Sequence, residues 1–564
     1  MPGLRTLPEA LSAASHTSQG FVFVTEGVEV RRSYAEIRRA AVGVSRALIE
    51  SGLRPGDLVA LVIADAEPFL TALFGASMAG LIPASLYPPT MSDLPRYLVQ
   101  TAGVLRTARA RAVVTTSVLH DSFQTLRETC PDLALVLQRD ELDWPEAPRR
   151  EPDARVSLDD IAFVQFTSGS TSAPKGVALT HRSVAANIHA INGPAGLGVG
   201  PEDSGVSWLP LYHDMGLVGM ALGTMYSRRS TVLLPPQTFI KRPATWLRAM
   251  SRHRATVSFA PNFAYELCVR RVKDRELEGL DLSCWRVAGC GAEPIHAPTL
   301  AAFAEKFRSV GFRDTSFLPS YGLAEHVLAA TFPPRGRRPR VESIDAACLT
   351  ERRVARPLAG DADCRPAVTI VSCGSPLPGH RIRIVGENGK EARAREIGEI
   401  TLAGPSVMLG YYKEDALTAQ TIAGGWLRTG DLGYMANGEL FVCGRAKDII
   451  IVNGRKYHPQ DLEWGVSDLA GVRRGRVVAF GLQQPGGPDR VAIVAEPSGT
   501  VTPDALVESI RRRIGDLCGL YVDDVVLVPS GAIARTTSGK VQRAATKARY
   551  QRGELAGEGE ELRA

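Results

Sequence analysis

The sequence contains few cysteines, and none of them are paired at a spacing that binds metal. Nine cysteines occur in 564 residues, an odd number with no C-x-x-C motif. A disulfide framework and a structural zinc site are both disfavoured, because each needs regularly spaced cysteines. We therefore expect a reducing, cytoplasmic environment.

The sequence also has little excess of either charge and few long apolar runs. The 66 basic residues exceed the 60 acidic ones by only 6, too few to indicate a nucleic-acid partner. Met1–Ser18 contains no long apolar core, so we expect no signal peptide. Phe69–Tyr87 carries no charge over 19 residues, but Gly75, Gly80 and Pro83 interrupt it. We interpret this stretch as a buried helix followed by a buried strand and predict no stable membrane insertion.

The remaining composition is that of a soluble protein, 45% apolar and 22% charged. A chain of 564 residues is too long for one hydrophobic core, so at least two domains are expected. Helical and extended patterns alternate along most of it, beginning with a predicted helix at Tyr34–Ile49 and a predicted strand at Leu58–Ile63. The alternation continues with predicted helices at 68–79, 94–107, 243–253 and 262–272 and predicted strands at 80–86, 112–115, 205–208 and 230–234.

This alternation predicts an α/β fold with mostly parallel sheets covered by helices. From Thr369 onward the apolar spacing becomes typical of strands, which indicates a β-rich subdomain. We predict a large N-terminal domain over residues 1–443, a polar hinge at 444–448 and a small α+β C-terminal domain over 449–564. The Glu- and Gly-rich tail after Arg552 is expected to be disordered. The sequence does not reveal the oligomeric state.

A run of small residues, Thr167–Ala173, follows an apolar stretch that predicts a buried strand at Ile161–Val164. Small side chains allow backbone N–H groups to approach an anion, and Lys175 adds a positive charge. The spacing of Gly169 and Pro174 does not match G-x-x-x-x-G-K-[ST], so this is not a Walker A loop. A flexible linker is the alternative interpretation, but linkers rarely lie between a buried strand and a second apolar segment. The stretch predicts a phosphate-binding loop.

Five further segments contain chemistry-bearing residues in turn-rich surroundings. Alone, each has an ordinary structural interpretation, such as a hydrogen-bonded histidine or a surface lysine. Their order along the chain, together with the phosphate loop, resembles the adenylate-forming superfamily over about residues 20–545. The segments are Trp208–Leu217, Gly289–Pro294, Ser320–Glu325, Gly425–Gly433 with Gly444 and Arg445, and Arg535–Arg543.

The resemblance implies ATP and Mg²⁺ as cofactors and assigns roles to individual residues. Tyr321 would stack on adenine, Asp431 would accept hydrogen bonds from the ribose, and Arg445 would approach ribose or phosphate. Lys540 would be the mobile catalytic cation, and His213 would border the carboxylate and the nucleotide. Other nucleotide-binding residues would be Thr167, Ser168, Gly169, Ser170, Thr171, Lys175, Gly291, Ala292, Glu293, Ser320, Gly322 and Leu323; Thr167 and Glu325 would bind Mg²⁺, and Lys447 and Asp448 would form the hinge.

Within the superfamily, the chain most resembles the fatty acyl-AMP ligases. The resemblance rests on Tyr212–Gly216, Val257–Arg271, Gly444–Glu463 and extra length after Glu325, at about 342–372. It implies a fatty acid substrate, an acyl pocket at Phe259, Asn262 and Phe263, and an insertion that packs on the large domain and disfavours coenzyme A. The resemblance also implies an acyl carrier protein as the acceptor; because no carrier signature follows Lys540, any carrier would act in trans or be absent.

One departure from the family pattern concerns the acceptor. Lys456-Tyr457-His458 stands where the family commonly has asparagine before the aromatic/histidine pair, near the expected path of the pantetheine arm. Three alternatives stay open at this stage: a fatty acyl-CoA synthetase, an amino-acid adenylation domain and a catalytically inactive nucleotide- or acyl-binding module. Asp214 is the sole candidate to pair a substrate amine within Trp208–Leu217, and Lys540, Asp431 and Glu325 argue against an inactive module.

Overall fold

Alternating helix and strand patterns should give sheets covered by helices, and a computed structural model of the chain has this architecture. The structure describes residues 3–89, 94–142, 154–167, 174–358, 366–452, 455–482, 490–535 and 541–555. Among these residues the helices are α1 Leu7–Ala14, α2 Tyr34–Glu50, α3 Ala66–Met78, α4 Leu94–Thr107, α5 Ser117–Gln124, α6 His181–Asn192, α7 Gly223–Tyr226, α8 Pro236–Lys241, α9 Ala244–Arg252, α10 Asn262–Arg271, α11 Ala297–Phe307, α12 Asp415–Thr421, α13 Pro459–Ser467, α14 Pro503–Cys518 and α15 Arg543–Gln551.

The strands of the large N-terminal part come first along the chain. They are β1 Gly20–Thr25, β2 Val28–Ser33, β3 Leu58–Val62, β4 Ile82–Ser85, β5 Ala112–Thr115, β6 Leu135–Gln138, β7 Ile161–Thr167, β8 Lys175–Thr180, β9 Gly205–Ser207, β10 Thr231–Leu233, β11 Val257–Ala260, β12 Val287–Cys290, β13 Phe317–Pro319, β14 Tyr321–Gly322, β15 Ala329–Phe332, β16 Val341–Asp345, β17 Ala367–Val371 and β18 Ser375–Pro376.

The later strands belong to the β-rich region and to the C-terminal part. They are β19 Arg381–Val385, β20 Gly398–Ala403, β21 Gly410–Tyr411, β22 Ile422–Ala423, β23 Trp426–Ala436, β24 Glu439–Arg445, β25 Ile450–Val452, β26 Arg455–Tyr457, β27 Val472–Leu482, β28 Arg490–Pro497 and β29 Asp524–Leu527.

Two seven-stranded sheets form the centre of the large part. The first has the order β13-β12-β11-β9-β10-β1-β2 and is parallel except for the edge pair β1–β2. The second has the order β21-β8-β7-β4-β3-β5-β6, and its parallel strands end in the antiparallel strands β8 and β21. Fully buried tryptophans, Trp208, Trp246 and Trp285, fill the core beside the first sheet.

Smaller antiparallel sheets complete the chain. Strands β19, β20, β23, β22 and β24 form the β-rich region, and β16 pairs with β17 in a separate hairpin. The C-terminal part contains the hairpin β25–β26 and the sheet β27-β28-β29, packed against α13 and α14. The predicted α/β fold class, with its parallel sheets, β-rich region and small α+β unit, is therefore confirmed.

Most predicted elements are present with small shifts at their ends. The predicted helix at Leu94–Thr107 and strand at Ala112–Thr115 have the same bounds in the structure. The uncharged stretch Phe69–Tyr87 folds into the end of α3 and all of β4, as predicted. No helix among the described residues is long and apolar enough to span a membrane. The tail differs in its first residues, because Leu555 is buried against the C-terminal sheet.

Helix α2 packs against α3, and a capping box begins it. The Glu36 N–H donates to Ser33 Oγ at 3.2 Å, and the Ser33 N–H donates to Glu36 Oε2 at 2.7 Å. Two backbone donors at the start of the helix are thereby satisfied. Its buried residues then face α3 and the core.

We predict that Ser33→Ala lowers the free energy of unfolding of the large domain by about 1 kcal/mol, because the variant loses this cap. Urea denaturation followed by circular dichroism measures the change. Ser51→Ala is the matched control, since the Ser51 hydroxyl donates only to the Ala47 carbonyl within α2. An equal loss in both variants would contradict a specific role for the capping box.

Candidate active site

The predicted phosphate loop begins where β7 ends. Thr167 pairs with Lys175 across the β7–β8 hairpin, so both lie at the mouth of that turn. The Lys175 ammonium lies 5.1 Å from the centre of the Tyr411 ring, a cation–π distance. Ser168, Gly169, Ser170 and Thr171 lie outside the described residues.

Tyr411 also contacts the residue predicted to bind the metal. Its hydroxyl donates to Glu325 Oε1 at 2.9 Å, and the Met408 N–H donates to the Glu325 carbonyl at the same distance. Burial and the nearby Glu325 carboxylate raise the pKa of the Tyr411 phenol. Tyr411 is not among the residues predicted from the sequence. It belongs to a short strand that pairs with β8, and this pairing brings it to the site.

A tight turn after β12 forms one wall of the predicted adenine site. A side chain on Gly291 would place its Cβ 2.7 Å from Ser320 Oγ, so glycine is required for this close approach. Ala292 has a φ of 67°, in the left-handed region. Glu293 Oε1 accepts a hydrogen bond from the Phe263 N–H at 2.6 Å, which ties the turn to the start of α10.

Tyr321 and Asp431 meet beneath this turn. The Tyr321 hydroxyl donates to Asp431 Oδ2 at 2.8 Å, and Arg445 Nε lies 3.3 Å from Asp431 Oδ1. Burial raises the pKa of the Asp431 carboxyl, while the positive charge of Arg445 opposes this effect. The structure therefore brings three predicted nucleotide-binding residues together from β14, β23 and β24. Gly322 and Leu323 follow Tyr321 directly.

His213 lies in the loop before the π-helix Met215–Leu222. Its Nδ1 is 3.1 Å from Asp214 Oδ1, which also accepts a hydrogen bond from the Met215 N–H at 2.7 Å. Gln165 of β7 donates to the Tyr212 carbonyl at 2.5 Å and so joins this loop to the strand before the phosphate loop. The ring of His213 is two-thirds covered.

A mostly apolar cavity of about 810 Å³, including its open mouth, extends from these residues along the first sheet. Ala292, Ser320, Tyr321 and Gly322 line one end of it, and Phe259 lines its wall. Two other predicted pocket residues do not line it. Asn262 Oδ1 accepts from the His296 N–H at 3.1 Å, and Phe263 packs edge-to-face on Trp208.

The predicted hinge contacts both parts of the chain. Partial burial lowers the pKa of Lys447, and the positive charges of Arg445 and Lys175 contribute to the same effect. Asp448 instead accepts from Arg543 Nη1 of the small domain at 2.9 Å, and Arg543 is also bound to Glu463. Lys447 is thus coupled to the nucleotide site, whereas Asp448 is bound to the small domain.

The last predicted motif begins at Arg535. Burial lowers the pKa of Arg535 to about 10, and its Nη2 donates to the Gly475 carbonyl of the small domain. Lys540 lies outside the described residues.

The site offers oxygen ligands that fit a magnesium ion bound together with phosphate. Glu325 Oε1 accepts from Tyr411, whereas no described residue donates to Glu325 Oε2. A single free carboxylate oxygen with a hydroxyl such as that of Thr167 suits Mg²⁺, which takes its remaining ligands from water and phosphate. The described residues contain no cluster of three histidine, cysteine or acidic side chains that could hold a metal by itself.

Comparisons with known proteins agree with this geometry. The family model of the AMP-binding enzymes matches residues 12–412. A Caulobacter vibrioides protein provisionally named as an acyl-CoA synthetase is 37% identical over 97% of this chain and 96% of its own length. JamA of Moorena producens, a medium-chain-fatty-acid–[acyl-carrier-protein] ligase, is 32% identical over 98% of this chain and 96% of its own length.

A solved structure also matches nearly the whole chain. It comes from studies of fatty acyl-adenylate ligases of E. coli and L. pneumophila and superimposes with a TM-score of 0.91 at 37% identity. The match covers 97% of this chain and 98% of that one. Both parts of the fold, and not only the nucleotide site, are therefore shared.

We predict that binding of adenosine weakens as the pH falls toward the raised pKa of Asp431. Because burial raises the pKa of Asp431, its carboxylate becomes protonated, and loses acceptor capacity, at a pH where an exposed aspartate is still ionised. Asp431→Asn should bind adenosine about 10- to 100-fold more weakly at neutral pH, the value of a hydrogen bond to a charged group. Calorimetric titration across this pH range measures both effects.

Adenosine is chosen because it has no phosphate that would titrate in the same range. The variant should show no decrease toward acidic pH, since its amide does not ionise. Asp415→Asn, exposed at the start of α12, is the control and should behave like the wild type. A wild-type pH profile parallel to that of Asp431→Asn would refute the assignment.

Proposed function

Since the chain belongs to the AMP-binding enzyme family and is an ATP-using, adenylate-forming ligase of fatty acids, we propose that it transfers the activated acyl group to an acyl carrier protein. The observation that carries the site assignment is the cavity itself. Its apolar wall reaches Ala292, Ser320 and Tyr321, the residues expected beside adenine. An acid whose chain lies in the cavity would thus present its carboxylate to the nucleotide.

In the first half-reaction, a carboxylate oxygen of the fatty acid attacks the α-phosphorus of ATP. The new oxygen–phosphorus bond forms as the bond to the β-phosphate oxygen breaks, so acyl-AMP and pyrophosphate result. No general base is needed, because the carboxylate is already the nucleophile. The difficulty is the approach of one anion to another, and cations aimed at the α-phosphate reduce it.

We assign the following roles to residues of this chain. Lys175 and Thr167 bind the phosphates at the mouth of the β7–β8 turn, Tyr321 stacks on adenine, and Asp431 holds the ribose. Glu325 and Thr167 hold Mg²⁺, which when bound neutralises phosphate charge. His213 borders the carboxylate of the acid.

Lys540 is proposed as the cation that acts on the α-phosphate. The motif that carries it starts at Arg535, whose guanidinium donates to the Gly475 carbonyl. Lys447 and Asp448 form the hinge about which the small domain moves between the two half-reactions. Limiting access of water to the mixed anhydride between the two steps would protect it from hydrolysis.

In the second half-reaction, the thiol of a carrier's phosphopantetheine arm attacks the acyl carbonyl carbon. A thioester forms, AMP leaves, and the thiol proton is released. Two features support a carrier rather than coenzyme A: the similarity to JamA, a carrier ligase, and the contacts of the insertion.

The insertion contacts the small domain as well as the large one. Arg455 Nη2 of the hairpin β25–β26 lies 2.9 Å from Glu351 Oε1, in the insertion's short helix Cys348–Arg352. Lys456, at the position that departs from the family pattern, pairs with Glu387, which also pairs with Arg353. Linked ion pairs of this kind connect the insertion to the domain that has to move for transfer.

The alternative activity, formation of fatty acyl-CoA, is kept because of the Caulobacter relative. We predict that, with one fatty acid and ATP, the enzyme forms acyl thioester on a holo-carrier protein at least tenfold faster than on coenzyme A. The two products are measured by intact-protein mass spectrometry and by chromatography. Faster formation of acyl-CoA would overturn the assignment of the acceptor but not that of adenylation.

We predict that Lys540→Ala lowers the rate of fatty acid adenylation by about 100- to 1000-fold, the usual cost of removing one group that stabilises transition-state charge. Pyrophosphate release with hydroxylamine as the trap measures this step. Transfer from pre-formed acyl-AMP to the carrier should keep most of its rate, because the α-phosphate is no longer attacked. Lys547→Ala, on α15, is the control, and adenylation by Lys540→Ala at the wild-type rate would remove the role assigned to this lysine.

A further inference from the structure

One wall of the acyl cavity is a helix that lines it with a row of residues spaced four apart and with their neighbours Met220 and Thr224. Met215, Gly219, Gly223 and Ser227 all line it. They span the π-helix Met215–Leu222, helix α7 and the residue after it. Residues four apart share a face of a helix, so these positions form one row along the cavity.

The two ends of this row lie beside different parts of the structure. Met215 follows Asp214 and His213, on the side where Ser320 and Tyr321 line the cavity. At the other end are Ser204 and Gly205, at the amino-terminal side of β9. Since β9 and β13 point the same way in the sheet, the row runs from the nucleotide site into the interior.

A side chain at either glycine of the row would crowd a neighbouring residue and take up space in the cavity. A Cβ at Gly219 would lie 3.0 Å from Leu328 Cδ2, and Leu328 lines the cavity as well. A Cβ at Gly223 would lie 3.2 Å from the Val218 carbonyl oxygen and 3.7 Å from the Asn192 side-chain amide, farther along the cavity. Gly216 is different, because its Cβ would lie 2.3 Å from the Pro210 carbonyl, so backbone packing accounts for it.

Polar groups mark the inner end of the row. The Asn192 side-chain amide donates to Ser227 Oγ at 2.7 Å and to the Gly223 carbonyl at 2.8 Å. Arg229 also lines this end. An apolar chain gains by burial against Gly219 and Leu328 but gains little by reaching these polar groups.

We propose that Gly219 and Gly223 are specificity-determining residues that set the length of the fatty acid chain. The inference rests on the proposed function, since it places the acid's carboxylate beside Tyr321 and its chain along this row. Because Gly219 has no side chain, Leu328 keeps its place at the cavity wall, and Gly223 leaves the cavity open as far as Asn192 and Ser227. The two positions are about 6 Å apart along the helix, so they act on different parts of the chain.

The test compares Gly219→Val and Gly223→Val with the wild type over a series of straight-chain acids. Specificity, kcat/KM, is measured for each acid by pyrophosphate release. Both variants should keep activity on the shortest acid that the wild type uses, which also shows that they are folded. Gly223→Val should lose the longest acids, and Gly219→Val should have a shorter limit, with a decrease of roughly fourfold for each methylene excluded from the cavity.

Gly103→Val is the matched control, because it lies in α4 with no atom within 4 Å of the added Cβ; its length profile should equal that of the wild type. Gly219→Ala is used if Gly219→Val does not fold. If this variant loses activity on long acids and keeps activity on short ones, that result also supports the proposal. Length profiles unchanged in shape in the glycine variants would overturn the proposal while leaving the proposed function intact. Failure of the wild type to activate any fatty acid would overturn the proposed function itself.

Discussion

Parallel strands place the loops that follow them at one edge of a sheet, and the whole site depends on this constraint. Strands β11, β12 and β13 run side by side, so the turn at Gly291 and the loop at Ser320 are adjacent although about 30 residues separate them in sequence. The phosphate-loop hairpin belongs to the second sheet. The segment around Tyr411 connects this hairpin to the loop after Ser320, since it pairs with β8 and its tyrosine hydroxyl donates to Glu325.

Electrostatics at the site follow from how little water reaches it. Asp431 is 9% exposed, and burial raises the pKa of its carboxyl even though Arg445 lies beside it. A buried carboxylate with one arginine and one tyrosine hydroxyl around it is held in one orientation, and its partners in the structure are the residues expected around a nucleotide. The same low water content suits an enzyme whose intermediate is a hydrolysable anhydride.

The small domain is bound to the large one by polar contacts rather than by a continuous apolar core. Its apolar residues form clusters of their own, while Arg455 and Lys456 reach acidic residues of the large domain. Exposed ion pairs each contribute little stability. Such an interface can be replaced by another at a small cost in free energy. The proposed reaction, in which AMP accepts the acyl group first and the carrier thiol second, requires such an exchange.

Much of the site could be predicted from the sequence, because motifs are local. The segments predicted to bind phosphate, adenine and ribose each consist of a few adjacent residues, and helices such as α4 were predicted correctly from apolar periodicity. The pocket was predicted less well: Phe259 lines the cavity, but Asn262 caps the His296 backbone and Phe263 packs on Trp208. The type of a residue does not indicate whether its side chain faces the cavity or the protein core, because that depends on the neighbours that the fold places around it.

By itself, the sequence determined the order of elements, the α/β class and the residue types available for binding phosphate, adenine and ribose. These properties depend on local periodicity and on short motifs. The tertiary structure alone decided that Tyr411 joins Lys175 to Glu325, that Glu351 pairs with Arg455, and that Gly219 and Gly223 line an apolar cavity. Each of these depends on contacts between residues far apart in the chain, and such contacts are formed by packing rather than by local sequence.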